Sequence, residues 1–119
     1  MEWKLEDDRP IWMQLTEQLT LLIVSGAYTP GSRLPSVREL AEQAGVNPNT
    51  MQRALSQLES DGLASSNRTA GRMVTEDFVI IEATRKRLAK KHMEIYLSAM
   101  AQLGYDSAKA AALLKEEEK

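Results

Sequence analysis

The feature that most constrains the fold is a very short connection between two segments of helical periodicity. Gly45 favours the left-handed conformation that ends a helix, and one residue later Asn47 and Pro48 have the chemistry of a helix start. Ser36 and Glu39 have the spacing of a capping box at the start of the first segment. Each segment has one apolar face, formed by Val37, Leu40, Ala41 and Ala44 in the first and by Met51, Ala54, Leu55 and Leu58 in the second. The sequence therefore predicts two amphipathic helices joined by a tight turn.

Further elements are predicted on both sides of this pair. Apolar residues at helical spacing indicate a first helix with Pro10 in its first turn and an end at Gly26. Two short extended segments around residues 67–71 indicate a hairpin over residues 63–75, and helical periodicity returns in residues 76–103 and 108–114. The predicted fold class is mostly α with a small β-hairpin wing, that is, a winged helix-turn-helix followed by two C-terminal helices.

The composition narrows the range of functions. The 119 residues are 43% hydrophobic and 27% charged, which suits one domain with an appendage. The chain has no cysteine and a single histidine, and Glu39 and Glu59 are explained by a helix cap and a solvated helix face, so we expect no enzyme, metal or cofactor. The longest apolar run, residues 19–24, is far shorter than the roughly 20 residues of a membrane span, and the first residues lack a signal-peptide pattern. We therefore expect a cytoplasmic protein without a membrane partner.

The second helix of the pair has a polar outer face that is suited to DNA. A short helix, a tight turn and a second amphipathic helix place the start of the second helix in the major groove. The amide, hydroxyl and guanidinium groups available there belong to Asn47, Asn49, Thr50, Gln52 and Arg53. Arg38 before the turn and Arg68 or Arg72 on the hairpin are expected to contact the DNA backbone or minor groove on either side. Since the net charge is −2, binding must use this local surface rather than bulk charge.

Three stretches of the chain carry a resemblance to a known family. Residues 30–41 (PGSRLPSVRELA), 45–55 (GVNPNTMQRAL) and 58–63 (LESDGL) resemble the winged-helix domain of GntR-family bacterial transcriptional regulators. The resemblance implies a homodimer on a palindromic operator, with DNA contacts from recognition helix 47–61 and wing 63–75. The chain departs from the family pattern at Gln52, where many members have arginine. The resemblance therefore does not predict the operator sequence. The DNA-contacting residues expected overall are Arg33, Ser36, Arg38, Asn47, Asn49, Thr50, Gln52, Arg53, Arg68, Thr69, Gly71 and Arg72.

The C-terminal region is short. Only about 45 helical residues follow the wing, which resembles the YtrA-like subgroup and implies that these helices dimerise. Leu21 and Val24 also lie opposite the main apolar stripe of the first helix, so we expect another surface to cover them, which the dimerising helices offer. The expected dimerisation residues are Leu21, Val24, Phe78, Ile81, Leu88, Met93, Tyr96 and Met100. Residues 1–75 are thus expected to form a DNA-binding domain and residues 76–119 a helical dimerisation region, although a plain core role is the alternative for the latter.

Several alternatives stay open at the level of sequence. A repressor is favoured over an activator because a small dimer acts most simply by occluding promoter DNA. A winged-helix protein-interaction module without specific DNA readout is the main rival, since fold alone does not define function. The basic run at residues 85–92 is more typical of a solvated helix face than of a phosphate contact, and a small-molecule effector is neither identified nor excluded.

Overall fold

The computed structural model describes residues 2–118. Its elements in chain order are α1 (Ile11–Val24), α2 (Val37–Ala44), α3 (Pro48–Ser60), β1 (Ala64–Asn67), β2 (Gly71–Val74), α4 (Phe78–Gln102) and α5 (Ser107–Glu117). This mostly helical chain with one antiparallel hairpin confirms the predicted fold class. The chain forms two compact units, the first ending at Glu82 and the second beginning at Ala83. The functional division into residues 1–75 and 76–119 stays a prediction.

The connection between α2 and α3 has the local geometry that the sequence predicts. Ser36 Oγ accepts a hydrogen bond from Glu39 N at 3.1 Å, and Glu39 Oε1 accepts one from Ser36 N at 3.3 Å, which completes the capping box. Gly45 ends α2 with a φ of +69°. Asn47 Oδ1 then accepts a hydrogen bond from Asn49 N at 2.7 Å at the start of α3. Short-range hydrogen bonds therefore fix the start of each helix, and the left-handed Gly45 fixes the end of α2 at the turn.

The core of the first unit lies where α3 packs against α1 and α2. The residues with no exposed surface are Leu15 and Leu19 of α1, Leu40 of α2, and Met51, Ala54, Leu55 and Leu58 of α3. Burying one such large apolar side chain contributes about 1.5–3 kcal/mol to folding. Because all four apolar positions of α3 are buried, the rotation of this helix about its axis is fixed by the core.

Two glutamines on α1 tie the preceding residues to the helix surface. Gln14 Oε1 accepts a hydrogen bond from Glu6 N and Gln14 Nε2 donates to Glu6 O, both at 2.7 Å. Gln18, one turn later, forms the same pair with Lys4, at 3.2 and 2.7 Å. Pro10 precedes the helix with a ψ of 131° rather than lying in its first turn as the sequence suggested. Each glutamine thus pairs with the backbone as a neighbouring strand would, which no sequence pattern indicated.

The hairpin is joined to the chain that leads into α2. β1 and β2 pair in register with Asn67 opposite Gly71 at the turn. On its other edge β2 pairs with Arg33, which forms an isolated antiparallel bridge with Met73. β2 therefore lies between β1 and the segment before α2, and this arrangement places Arg33 at the base of the wing.

The C-terminal helices have capped starts. The Asp77 carboxylate accepts hydrogen bonds from backbone N–H groups of the first turn of α4, and Asp106 does the same for α5. Tyr96 OH in α4 donates to Ala110 O in α5 at 2.8 Å, which joins the two helices. Over residues 2–118, none of the helices combines the length and the apolar character needed to cross a membrane.

Candidate nucleic-acid interface

The exposed face of α3 is polar. Pro48 and Ser60 are exposed at its two ends, and between them the side chains open to solvent are Asn49, Gln52, Arg53 and Ser56. At about 100° per residue these positions lie opposite the buried stripe of Met51, Ala54, Leu55 and Leu58. Thr50, which the sequence also assigned to this face, is half-buried and lies nearer the core. The core therefore holds a row of amide and guanidinium groups outward, where they could reach base edges or phosphates.

Arg53 does not extend freely from this face. Its guanidinium carbon lies 4.2 Å from the centre of the Trp12 ring, which comes from α1. This is well within the range of about 6 Å over which a cation and an aromatic face attract each other. The exposed face of α3 has no aromatic residue of its own, yet the fold brings Trp12 beside it from another helix.

The residues that begin α2 and α3 have a structural role as well. Arg38 is exposed in the first turn of α2. The side-chain oxygens of Ser36 and Asn47, both expected DNA contacts, already accept hydrogen bonds in the caps of the two helices. Ser36 still has a hydroxyl hydrogen and Asn47 two amide hydrogens to donate to DNA, and each oxygen keeps one acceptor position. Their predicted DNA contacts stay predictions.

The tip of the wing is organised by one asparagine. Asn67 Oδ1 accepts hydrogen bonds from Thr69 N and Thr69 Oγ1, both at 2.9 Å, and from Ala70 N at 3.3 Å. Arg68 and Thr69 are exposed at this tip. The Thr69 hydroxyl hydrogen is used within the turn, so its oxygen is what remains for a ligand. Sequence reasoning placed Asn67 in the turn without assigning it this function.

Arg33 lies beside the glycine at position 71 of the wing. Gly71 has a φ of +82°, which favours glycine, and a Cβ built there would lie at ordinary contact distance, 3.4 Å, from Arg33 Nε. The exposed Arg33 side chain therefore lies beside the base of the wing tip. The structure thus brings together two of the predicted contact residues that are 38 positions apart in the sequence.

Arg72 is directed into the protein rather than toward solvent. Arg72 Nε forms an ion pair with Glu59 Oε1 of α3 at 2.7 Å, and its side chain is only 16% exposed. Ser66 Oγ on β1 donates a hydrogen bond to the same carboxylate oxygen. The hydrogen bond from Ser66, and then the hydrogen bond and positive charge of Arg72, hold the pKa of Glu59 below its ordinary value. Burial of the carboxylate has the opposite effect on this pKa. The prediction of Arg72 as a DNA contact therefore competes with its observed role in fastening the wing to α3, and the assignment of Glu59 to a solvated helix face is wrong.

The eight expected dimerisation residues divide by burial. Val24 is 6% exposed and Ile81 is 4% exposed, so the chain already buries most of both side chains, and their role in a dimer stays a prediction. Val24 is buried because α1 is covered on more than one side rather than along a single stripe. Leu21, Phe78 and Met93 are at least half exposed. Leu88, Tyr96 and Met100 are half-buried.

Comparison with known protein families identifies the first unit. Residues 13–74 match the family described as "Bacterial regulatory proteins, gntR family". The chain belongs to the GntR family of transcriptional regulators, as its sequence motifs suggested.

Individual relatives place the chain more narrowly. It is 34% identical over 104 residues to an uncharacterised HTH-type transcriptional regulator, YhcF of Bacillus subtilis, across 87% of this chain and 86% of that protein. It is 40% identical over 68 residues to the HTH-type transcriptional repressor YtrA of Bacillus subtilis, across 57% of this chain and 52% of that one. These relatives are transcriptional regulators rather than enzymes, and the second bears the name of the predicted subgroup.

Solved structures show the same fold. A GntR-family transcriptional regulator from Listeria monocytogenes superposes with a TM-score of 0.85 at 38% identity, over 94% of this chain and 98% of that one. The DNA-binding domain of AraR in complex with operator ORX1 superposes with a TM-score of 0.55 at 29% identity, over 63% of this chain and 92% of that one. The winged-helix part of the chain therefore has the fold of a domain that has been solved on operator DNA.

Metal chemistry has no candidate site in the described part of the chain. Across residues 2–118, no group of three or more histidine, aspartate or glutamate side chains is arranged to hold an ion. The polar groups of the candidate interface are amides, hydroxyls and guanidinium groups, which are the types that contact phosphates and base edges in protein–DNA complexes.

Proposed function

We propose that the chain is a repressor that binds a palindromic operator as a homodimer. The single observation that carries the DNA-binding part is the exposed polar face of α3, with Asn49, Gln52 and Arg53 held outward by a fully buried apolar stripe. Residues 47–61 would lie in the major groove, and the wing over residues 63–75 would contact the adjacent backbone or minor groove. Arg33, Arg38 and Arg68 supply exposed positive charge next to this face, in a chain whose net charge is negative.

The proposed homodimer rests on the apolar surface of the C-terminal helices. Met93, Ile95 and Leu97 of α4 and Leu103 directly after it are all exposed in the single chain. A groove of about 480 Å³ along α4 is lined by Ile95 and Ala99 together with Lys91, Glu94, Ser98 and Gln102. A second copy of the chain would cover these exposed apolar side chains, as a protein interface does. A two-fold dimer in turn requires an operator with two related half-sites about one helical turn or a multiple apart.

Repression is the mode of action that fits these parts most simply. A dimer of two short chains on promoter DNA excludes RNA polymerase by occupying the site, and the relative YtrA is named a repressor. The proposal implies a cytoplasmic protein, because that is where bacterial chromosomal DNA lies. Repression by occupancy requires no small-molecule effector. The effector that the sequence analysis left open stays a prediction. Deletion of the gene should raise transcription from a promoter fusion carrying the operator, and a fall in transcription would contradict repression.

The DNA-binding part is tested by selecting genomic fragments with the purified protein at near-physiological salt and excess competitor DNA, followed by footprinting. We expect protection of a palindrome, with affinity reduced about ten- to hundredfold by Arg38→Ala. Arg9→Ala is the matched control, since it removes an equal charge from an exposed arginine that pairs with Glu17. Absence of any selected fragment, together with capture of a protein partner, would favour the protein-interaction module instead.

A further inference from the structure

The contact between Arg53 and Trp12 is a feature of the candidate interface on which the proposed function does not depend. Trp12 is the second residue of α1 and is half-buried, whereas Arg53 is exposed on α3. The two residues lie 41 positions apart in the sequence, and the guanidinium carbon is 4.2 Å from the ring centre. The contact therefore depends on how α1 and α3 pack, and not on local sequence.

The packing at this point is fixed by a polar contact in the core. Thr16 Oγ1 lies 2.9 Å from Trp12 O and 3.3 Å from Ala54 O, and Thr16 is almost fully buried. Ala54 is the residue after Arg53 and has no exposed surface. The Thr16 hydroxyl thus lies between the backbone of Trp12 and the backbone of Ala54, next to Arg53. The backbone segments that carry the Trp12 and Arg53 side chains are therefore held beside each other.

Contact with an aromatic ring leaves donors of a guanidinium group free. The group is planar, with five N–H donors directed outward in its plane, and its central carbon lies 4.2 Å from the centre of the Trp12 ring. A guanidinium that packs with its face on the ring keeps its edge for hydrogen bonds. A free arginine would sample many rotamers before such a bond forms, whereas a stacked one is restricted to fewer.

We propose that Trp12 is a positioning residue that holds Arg53 on the exposed face of α3 with its N–H edge presented to DNA. The inference rests on the proposed DNA-binding function and deepens it. Trp12 then contributes to operator affinity through Arg53 and without touching DNA itself. Arg53→Lys should lose most of the benefit although it keeps the charge, because an ammonium group is neither planar nor forked.

The test is a double-mutant cycle on the fragment selected from the genome, with Trp12→Leu, Arg53→Ala and both changes together. We expect Trp12→Leu to weaken binding about three- to tenfold in the wild-type background and to have no further effect when Arg53 is alanine. Trp12→Phe keeps an aromatic face and should retain most of the affinity, which separates loss of the ring from loss of folding. Urea unfolding of each variant shows whether stability has changed.

A spectroscopic readout checks the contact independently of DNA. The chain has two tryptophans, so Trp3→Phe leaves Trp12 as the sole indole emitter. In that background Arg53→Ala should shift the Trp12 emission, and Gln57→Ala on the same helix should not. An unchanged emission would overturn the contact.

Failure of the inference and failure of the proposed function give different results. Equal weakening by Trp12→Leu in both backgrounds would make Trp12 a structural residue only, and an Arg53→Ala protein that binds like wild type would remove Arg53 from the DNA contacts. Either result overturns the inference while the wild-type protein still binds its fragment. If the wild-type protein binds no fragment specifically, the proposed function and the inference fall together.

Discussion

A single residue sets the geometry of the turn on which the interface depends. Gly45 ends α2 with a φ of +69°, and a Cβ built there would meet no atom within 4 Å. Space is therefore not the constraint at this position. The constraint is the left-handed backbone, which costs a residue with a Cβ roughly 1–2 kcal/mol.

Replacing this glycine separates backbone strain from packing. We expect Gly45→Ala to lower the free energy of unfolding by about 1–2 kcal/mol, measured by urea denaturation. Gly45→Asn should cost less, because asparagine tolerates the left-handed region better than alanine does. An alanine variant as stable as the wild type would show that the turn does not need this conformation.

Residue-level features were predictable from the sequence where they are local. The capping box at Ser36 and the cap at Asn47 form within three residues, and their side chains identify them. The partner of Trp12 lies 41 positions away on another helix, and Glu59 and Gln14 pair with residues 7 to 13 positions away in the hairpin and in the segment before α1. No spacing rule reveals such pairs, because they form only when one element folds against another. For this reason the sequence predicted candidate contact residues without the residues that hold them in place.

The wing and α3 act together through the carboxylate of Glu59. It accepts hydrogen bonds from Ser66 on β1 and from Arg72 on β2, so one side chain holds both strands against the helix. Its pKa in the folded chain lies below the ordinary value of 4.5, first because of Ser66. Ionised Glu59 therefore stabilises the folded state at pH values above the unfolded pKa, and this contribution is lost as pH falls through the lowered pKa.

This linkage is expected to appear as a pH-dependent difference between the wild type and Glu59→Gln. Near pH 7 the variant should be less stable by about 0.5–1 kcal/mol, since the pair is only partly shielded from solvent. The difference in free energy of unfolding should shrink toward zero as the pH is lowered well below 4.5. Glu17→Gln, which affects the exposed pair with Arg9, is the control. A difference that does not change between pH 7 and pH 3 would contradict the role of the ionised carboxylate.

At the scale of the whole molecule, the proposed dimer depends on the exposed apolar side chains of the C-terminal helices. Met93 on α4 is 56% exposed, and a carboxylate placed there would face an apolar partner without a counterion. We expect Met93→Glu to shift the sedimentation coefficient from dimer toward monomer at micromolar concentration and to weaken operator binding. His92→Glu introduces the same charge one residue away and should leave the dimer intact. A wild-type chain that sediments as a monomer would contradict the dimer directly.

Sequence patterns predicted which elements form, but not which of their apolar residues stay exposed for a partner subunit. The periodicity of α1 suggested that Val24 lies outside the core, yet the chain buries it, as it does Ile81. A helical pattern shows which residues share a face but not how many faces the rest of the fold covers. The length after the wing and the motif strings were sufficient to predict the family and the helical C-terminal region, because these depend on the number and identity of residues rather than on packing.

The central claim is that the outer face of α3 reads base sequence. The most direct test is the dissociation constant for a shuffled fragment divided by the dissociation constant for the selected fragment of equal length. This ratio is measured at one salt concentration for the wild type and for a protein with Asn49→Ala and Gln52→Ala. We expect the ratio to fall about ten- to hundredfold in the variant, with binding to the shuffled fragment unchanged, because amide groups on this face discriminate bases and carry no charge for phosphates. An undiminished ratio would show that α3 does not read the operator, and would contradict the account.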